Sequence, residues 1–516
     1  MVAPFSKYGY QNIKVTVSHP IPANPIKSFT CTKLPVFLPP PCPIPPLPRD
    51  MLVSSVAMPD TPHSDPLASL IAAPNQRLAS HFAHLPSVEP GMDQAQLAAL
   101  ESVLNQVADR LQDNYPYFHP LYAGQMLKPP HPVARAAYAL AMAINPNNHA
   151  RDGGRASSQM EIEAVAEIAR MFGFPQHLGH LTSGGTFANL EALWVAGQLH
   201  PGKRILASDQ AHYTHNRISA VLRLPFASVA SDNAGRMDLN ALEDQLRLGD
   251  VGTVVVTLGT TALGAVDPLP TVLALRDRYG FRVHVDAAYG GYFRLIADQL
   301  DAPARAAFQA IDKADSIVVD PHKHGLQPYG CGCILFRDPS VGRLYRHDSP
   351  YTYFTSAEFH LGEISLECSR AGASAVALWA TQRLLPLVPG GAFAQGLAAG
   401  RRAALELDRR VRADSRFVPL AAHRPELDIV VWQANAASNA RKSVLAKKIF
   451  DRAAEADLHL ALVRLPPHFF TQTVDCTAED THLTCLRSVL MKPEHELWLD
   501  PIWRRLCDAV NKALAL

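Results

Sequence analysis

Lys323 stands between two histidines in the stretch Asp320–Gly330, "DPHKHGLQPYG", directly after the apolar run Ser316–Val319 and just before Cys331 and Cys333. These residue types admit a metal site, a plain surface turn, or a lysine placed for covalent chemistry. A lysine that follows a buried strand is the easier to deprotonate, because desolvation penalises the ammonium and only the neutral amine is a nucleophile. His322, His324, Cys331 and Cys333 are all possible zinc ligands. The spacing H-x-H followed by C-x-C is not a common structural zinc pattern, however, and the lysine between the histidines repels a cation. No metal is expected here.

Three other stretches carry chemistry. Residues 181–197, "LTSGGTFANLEALWVAG", set Thr182, Ser183, Gly184, Gly185 and Thr186 before an apolar helix. Small residues let backbone N–H groups approach an anion, and a helix N-terminus favours negative charge, so this reads as a phosphate cradle. It is neither the Gly-Lys-Ser/Thr phosphate loop nor the G-x-G-x-x-G dinucleotide pattern, and a Gly-rich turn is commonly only a turn. Asp286 ends the apolar run "RVHVD". A carboxylate there needs a partner to stay charged, or it serves as a helix cap. His212, in "SDQAHYTHNR", is by itself an ordinary histidine.

The elements that must position these groups follow from periodicity. Strands are expected at 204–208, 253–259, 282–288, 316–320 and 333–338, alternating with helical stretches. Such alternation predicts an α/β fold with a mostly parallel sheet covered by helices on both faces. In open sheets of this kind ligands lie beyond the carboxyl ends of the strands, where Asp286 and Lys323 fall. Earlier segments are helical: 65–85, 93–115, with Leu97, Leu100, Leu104, Val107 and Leu111 at three- and four-residue steps, and 157–174. In the last of these, Ser158 and Glu161 have the spacing of a capping box, and Ile162, Val165, Ile168 and Phe172 share a face. After "VPGG" (388–391) a helix and shorter elements read as a smaller α+β unit. The expected organisation is a Pro-rich disordered leader over 1–65, a helical segment over 66–145, a large domain over 146–390 and a small domain over 391–516.

Composition sets the outer limits. Residues 35–48 contain eight prolines, which exclude a helix or a central strand. The 516 residues, 48% of them hydrophobic, suffice for a large core. A formal net charge of +1 gives no reason to expect nucleic acid or an anionic membrane as partner. Eight cysteines in this length do not suggest a disulfide framework, so reduced thiols in the cytoplasm are expected. No apolar run reaches the roughly 18–20 residues that span a bilayer.

Taken together and in order, the stretches "HPLYAGQM", "NPNNH", "TSGGTFANLEAL", "SDQAHYTHNR", "TLGTTALGAVD", "HVDAAYGGYF", "DPHKHGLQPYG" and "LECSRAGASAVALW", across about residues 119–380, resemble the group II pyridoxal-phosphate-dependent amino-acid decarboxylases. "NPNNH" and "ECSRAGASAVALW" are most similar to the bacterial and archaeal tyrosine-decarboxylase branch. The resemblance implies the aspartate-aminotransferase-like fold, pyridoxal 5'-phosphate as cofactor, a homodimer, and decarboxylation of an L-amino acid to its amine. It also implies roles. Lys323 would bind the cofactor as a Schiff base and Asp286 would pair with its ring nitrogen. His212 would stack on one ring face and Ala288 on the other. Ser183, Gly184, Thr186 and His322 would hold the phosphate, and Thr260 would support the cofactor.

Arg370, in "CSRAG", aligns with an arginine that binds the substrate carboxylate in relatives, a task that suits a guanidinium fork. Tyr351 and Tyr353 lie where the family carries a mobile loop whose tyrosine returns a proton to the substrate carbon. Asn147, Asn148, His149 and His324 are expected to border the side-chain pocket. The resemblance favours an aromatic, tyrosine-like substrate and leaves acidic and diamino acids open. A carbon–carbon lyase, an aminotransferase on the same fold, or an inactive binding protein are the alternatives.

Overall fold

The computed structural model describes residues 66–86, 91–345, 360–420, 424–470 and 482–515. The expected leader over 1–65, and Tyr351 and Tyr353, lie outside the described residues. The first half of the described chain comprises α1 (Pro66–His81), α2 (Gln94–Leu111), α3 (Pro132–Met142), α4 (Arg155–Phe172), β1 (Leu178–Thr182), α5 (Gly185–Leu199), β2 (Arg204–Ser208), α6 (Thr214–Val221), β3 (Phe226–Val229), α7 (Leu239–Leu246), β4 (Val251–Thr257) and α8 (Leu269–Tyr279). Then come β5 (Arg282–Asp286), α9 (Ala302–Gln309), β6 (Ser316–Val319), β7 (Gly332–Phe336), α10 (Gly372–Leu384), α11 (Ala392–Ala413), β8 (Phe417–Pro419), β9 (Ile429–Ala434), α12 (Asn439–Ala454), β10 (Ala461–Leu465), β11 (Leu483–Val489) and α13 (His495–Leu514).

Seven strands form one sheet in the order β1-β7-β6-β5-β4-β2-β3. The five strands β6, β5, β4, β2 and β3 run parallel. Strand β7 is antiparallel to both β6 and β1, so β1 again points the same way as β6. A second, four-stranded antiparallel sheet has the order β10-β11-β9-β8. The α/β expectation therefore holds, with β7 the one reversed strand of the large sheet.

Side-chain alternation decides which face each residue covers. Val254 and Val256 of β4, Ile317 and Val319 of β6, and Cys333 and Leu335 of β7 join the core beneath α4 and α8. Val255, Val318, Ile334 and Phe336 face the other way, toward α5. Helix α5 is apolar around much of its circumference because it is covered on several sides: Ala188, Ala192 and Val195 pack toward β6 and β7, and Leu193 and Ala196 toward β2 and β4. Each buried valine or leucine side chain contributes roughly 1.5–3 kcal/mol and each alanine methyl less than about 1 kcal/mol, which together fix α5 across the sheet.

One local expectation is corrected. Helix α4 begins three residues earlier than its proposed cap, at Arg155 after Gly154, so Ser158 and Glu161 are inside the helix and both are buried. Helix α2 forms, with a capping box between Asp93 and Gln96 instead. Its apolar stripe is largely exposed: Leu97, Leu100, Leu104, Val107 and Leu111 are between 45% and 61% exposed. Among the described residues no helix is long and apolar enough to cross a membrane.

Candidate active site

The carboxyl ends of β1, β4, β5 and β6 meet the N-terminus of α5 at one edge of the large sheet. A cavity of about 430 Å³ opens there, with Ser183, Gly184, Thr186, His212, Asp286 and Lys323 on its wall, joined by Ala288 and His322. Four well-separated stretches of sequence thus converge on one space.

Asp286 is buried and both of its oxygens are engaged. Oδ2 is 2.8 Å from His215 Nε2 and accepts from Asn189 Nδ2 at 3.4 Å, and Oδ1 accepts from the Ala288 N–H at 3.0 Å. Burial opposes ionisation, but the His215 hydrogen bond and charge, the Ala288 N–H and Lys323 together hold the carboxyl well below the usual range. It is a carboxylate at any physiological pH. Asn189 Oδ1 in turn meets His284 Nε2 at 2.8 Å, and His284 Nδ1 meets Ser316 Oγ at 2.9 Å. Burial pushes His284 down to about 3, so it is neutral and transmits orientation and not charge.

Lys323 Nζ lies 3.0 Å from Asp320 Oδ2. Asp320 is almost fully buried, and its Oδ1 has no hydrogen-bond partner. His322 Nε2 is 3.5 Å from the same Oδ2, and burial pushes its imidazole below the ordinary range. His212 is likewise pushed down, first by burial, with Asp286 opposing. Its Nδ1 is bonded to Thr214 Oγ1, which orients the ring.

The cradle has the geometry that an anion needs. Gly184 has φ +155°, in the region glycine favours, and a Cβ on Gly185 would come within 2.6 Å of Asp320 Oδ2, so no side chain fits there. The first N–H groups of α5 have no acceptor within the helix. The Ser183 N–H already holds an anionic oxygen: it donates to Glu367 Oε2 at 2.9 Å. That carboxylate oxygen stands in for a phosphate oxygen. Ionised Asp286, an adjacent lysine and an anion cradle around one cavity are the donor set that a phosphorylated pyridine aldehyde requires, and the residues fit it.

Other expected residues are not brought to the cavity wall. Thr260 is fully buried and closes a turn, its Oγ1 accepting from the Ala265 N–H at 3.1 Å, while its neighbour Thr261 lines the cavity. Arg370 is buried behind β1. Its Nη1 donates to Glu161 Oε1 at 2.6 Å and to the Leu181 carbonyl at 2.7 Å, and its Nη2 donates to the Asn148 carbonyl at 3.2 Å. With its charge compensated by a buried carboxylate, this guanidinium does not present the carboxylate-binding fork expected of it. Asn148 belongs to the same knot, donating to Glu161 Oε2 at 2.6 Å. Asn147 fixes the backbone, accepting from His149 N and Arg370 N. His149 holds Gly362 through its carbonyl.

His324 lies behind the wall, its ring against Tyr289 and Phe293, with Nε2 3.3 Å from Asp428 Oδ2 but not aligned for a hydrogen bond. Tyr289, on the cavity wall, donates to Asp428 Oδ1 at 2.6 Å. Cys331 and Cys333 are buried and their thiols are pushed up, which disfavours the thiolate a metal would need. Among the described residues no cluster of three or more His, Cys, Asp or Glu is placed to hold a metal ion.

Sequence reasoning missed His215, Asn189, Asp320, Thr261 and Tyr289. His215 had a signal, since it follows His212 by three residues at the start of a helix; so had Asp320, three residues before Lys323.

Residues 194–434 match the pyridoxal-dependent decarboxylase conserved domain. The L-tyrosine decarboxylase of Enterococcus faecium is 28% identical over 452 residues, which cover 66% of this chain and 74% of that protein. A probable L-aspartate decarboxylase of Halobacterium salinarum is 31% identical over 232 residues, 44% of this chain and 62% of that protein. The crystal structure of mouse CSAD is 20% identical and superposes with a TM-score of 0.69 over 86% of this chain and 92% of that one, a likeness of fold. By its conserved domain and its relatives, the chain is similar to the pyridoxal-dependent decarboxylases.

Proposed function

We propose that the protein decarboxylates an L-amino acid, with a tyrosine-like aromatic side chain favoured, to the amine and CO2, using pyridoxal 5'-phosphate held at Lys323. The observation that carries this reading is the placement of ionised Asp286 and Lys323 on the wall of one cavity with the Ser183–Thr186 cradle beside them. When bound, pyridoxal phosphate supplies an electron sink that stabilises the carbanion left at Cα after CO2 departs. Asp286 holds a proton at the cofactor's ring nitrogen, and His215, Asn189 and the Ala288 N–H keep the carboxylate ionised for that task. Lys323 supplies the amine that binds the aldehyde, and Asp320 is the nearest carboxylate to receive its proton. Ser183, Gly184, Thr186 and His322 hold the phosphate. His212, held neutral and oriented through Thr214, walls the cavity.

The preference for an aromatic substrate rests on the relatives named L-tyrosine decarboxylase; others are named as aspartate decarboxylases, and an acidic substrate is the second reading. Arg370 is assigned to the fold in this proposal and not to the substrate. Tyr351 and Tyr353 keep their proposed role as proton donors on family grounds alone.

The working unit we propose is a homodimer. The exposed stripe Leu97, Leu100, Leu104, Val107 and Leu111 is a contiguous apolar face of the kind a second subunit covers. The free thiols of Cys331, Cys333, Cys368, Cys485 and Cys507 fit a reducing, cytoplasmic setting.

Purified protein reconstituted with pyridoxal phosphate is expected to show a visible Schiff-base band that Lys323→Ala abolishes. A panel of the twenty amino acids scored for CO2 release, without a keto-acid acceptor, is expected to single out tyrosine. Formation of the substrate's α-keto acid in the presence of a keto-acid acceptor, with no CO2 released, would favour an aminotransferase. Leu104→Asp is expected to shift the protein from dimer to monomer in sedimentation; an unchanged dimer would remove α2 from the interface.

A further inference from the structure

The contact between Glu367 and the cradle has a consequence for cofactor loading. Glu367 Oε2 accepts from the Ser183 N–H at 2.9 Å, at the position where the proposed function puts the cofactor phosphate. A carboxylate and a phosphate dianion cannot both accept from one N–H at that range, since two like charges would meet beside a low-dielectric wall. One of them must leave. The backbone around Glu367 is not free to follow. The Leu366 N–H donates to the buried carboxylate of Glu191 at 3.3 Å, and Glu191 is also 2.9 Å from His180 Nε2 and accepts from Tyr345 OH. Three residues after Glu367, Arg370 is locked to Glu161. The segment is pinned on both sides, so a rotation of the Glu367 side chain is what can clear the cradle.

We propose that Glu367 is a built-in competitor for the phosphate subsite: its carboxylate occupies the cradle in the cofactor-free protein and swings out as pyridoxal phosphate enters. This rests on the cofactor reading above. The device keeps the cradle's N–H hydrogen-bonded before loading and lowers the apparent cofactor affinity by the fraction of molecules in which Glu367 is seated. It acts on the phosphate alone, so pyridoxal without a phosphate is indifferent to it.

The test is equilibrium binding of pyridoxal phosphate and of pyridoxal to the full chain, followed by the Schiff-base absorbance and by quenching of tryptophan fluorescence. Glu367→Gln removes the charge and weakens the competing hydrogen bond. Glu367→Ala removes the side chain. Both are expected to bind pyridoxal phosphate about three- to tenfold more tightly than the natural protein, with pyridoxal affinity unchanged. Glu363→Gln, on the same segment but bonded to His360, serves as the control for a general loss of negative charge and is expected to change neither. Unchanged or weaker pyridoxal phosphate binding in both Glu367 variants overturns the inference while leaving the cofactor reading intact. So does an equal gain for pyridoxal, or for Glu363→Gln. If the natural protein forms no Schiff base at all, the function reading itself fails and takes the inference with it.

Discussion

Two buried carboxylates, Asp286 and Glu161, are close in burial and opposite in use. Each is about 95% or more out of solvent and each has a nitrogen base within 2.8 Å. Glu161 sits inside α4 with its oxygens engaged by Arg370, Asn148 Nδ2 and the Leu181 N–H, all from its own chain. Nothing is left over for a ligand, and the group ties α4, β1 and the turn at Asn148 together. Asp286 also has donors from its own chain, but unlike Glu161 it lines the cavity, together with Lys323. A buried charge that is saturated by its own protein is architecture; one that also lines a cavity is a candidate reagent. The same contrast is why Arg370, although its type suits a substrate fork, is assigned to the fold in our proposal.

The largest expected effect would break the comparison on the Asp286 side. Asp286→Asn should lower kcat by about 10²–10³-fold or more, because it removes a charge aimed at the ring nitrogen. An activity within tenfold of the natural protein would mean that Asp286 is architecture too. Next, Arg370→Gln leaves the Glu161 carboxylate buried without its cation and should cost about 3–5 kcal/mol of stability, read as a lower denaturant midpoint before any assay. A variant of full stability whose only defect is a raised KM would restore Arg370 to the substrate.

Smaller effects sharpen the contrast. His215→Asn removes the main donor to Asp286, so the carboxyl moves up and the acid limb of the pH–activity profile should move to higher pH, with roughly a tenfold loss of kcat. An acid limb that stays in place would exclude His215 as the tuning group. The smallest effect concerns Asp267, which burial pushes up to about 7 despite N–H donors from Met237 and Thr257. Its folded value is above its unfolded one, so protonation favours the folded state. That contribution is complete below about pH 4 and is lost as pH rises to about 7, on the order of 1 kcal/mol after relaxation. Asp286, held low, behaves in the opposite sense: its contribution is present above about pH 4 and is lost only in stronger acid. Melting curves of the natural protein and Asp267→Asn, a mimic of the protonated acid, should lie close at about pH 4 and separate toward about pH 8, the natural protein losing stability relative to the variant, if the sign is right.

Much of this was legible in the chain. Alternating apolar runs gave the strands of the large sheet that end in Asp286 and in the Lys323 turn, because buried parallel strands are short, apolar and β-branched whatever surrounds them. The order of cradle, histidine, strand-end acid and strand-end lysine gave the cofactor. Strand β1, "LGHLT", escaped notice because a glycine and a buried histidine interrupt its pattern, and His180 is tolerated there through Glu191 and the Leu181 carbonyl. The proposed cap at Ser158 failed because the local spacing of Ser158 and Glu161 is the same for a capping box and for a helix interior. Only the arrival of Arg370, more than 200 residues later, selects the second.

The sequence by itself determined which residue types stand at the strand ends, and with them the class of chemistry, because strand periodicity and helix N-termini are local properties. The tertiary structure alone decided who partners whom. Asp286 is set by His215 from α6 and Asn189 from α5, Lys323 by Asp320, the Ser183 N–H by Glu367, and Arg370 by Glu161. Most of these pairs are far apart in the chain, and a charge's role depends on its distance to other charges and to water, which no local pattern encodes.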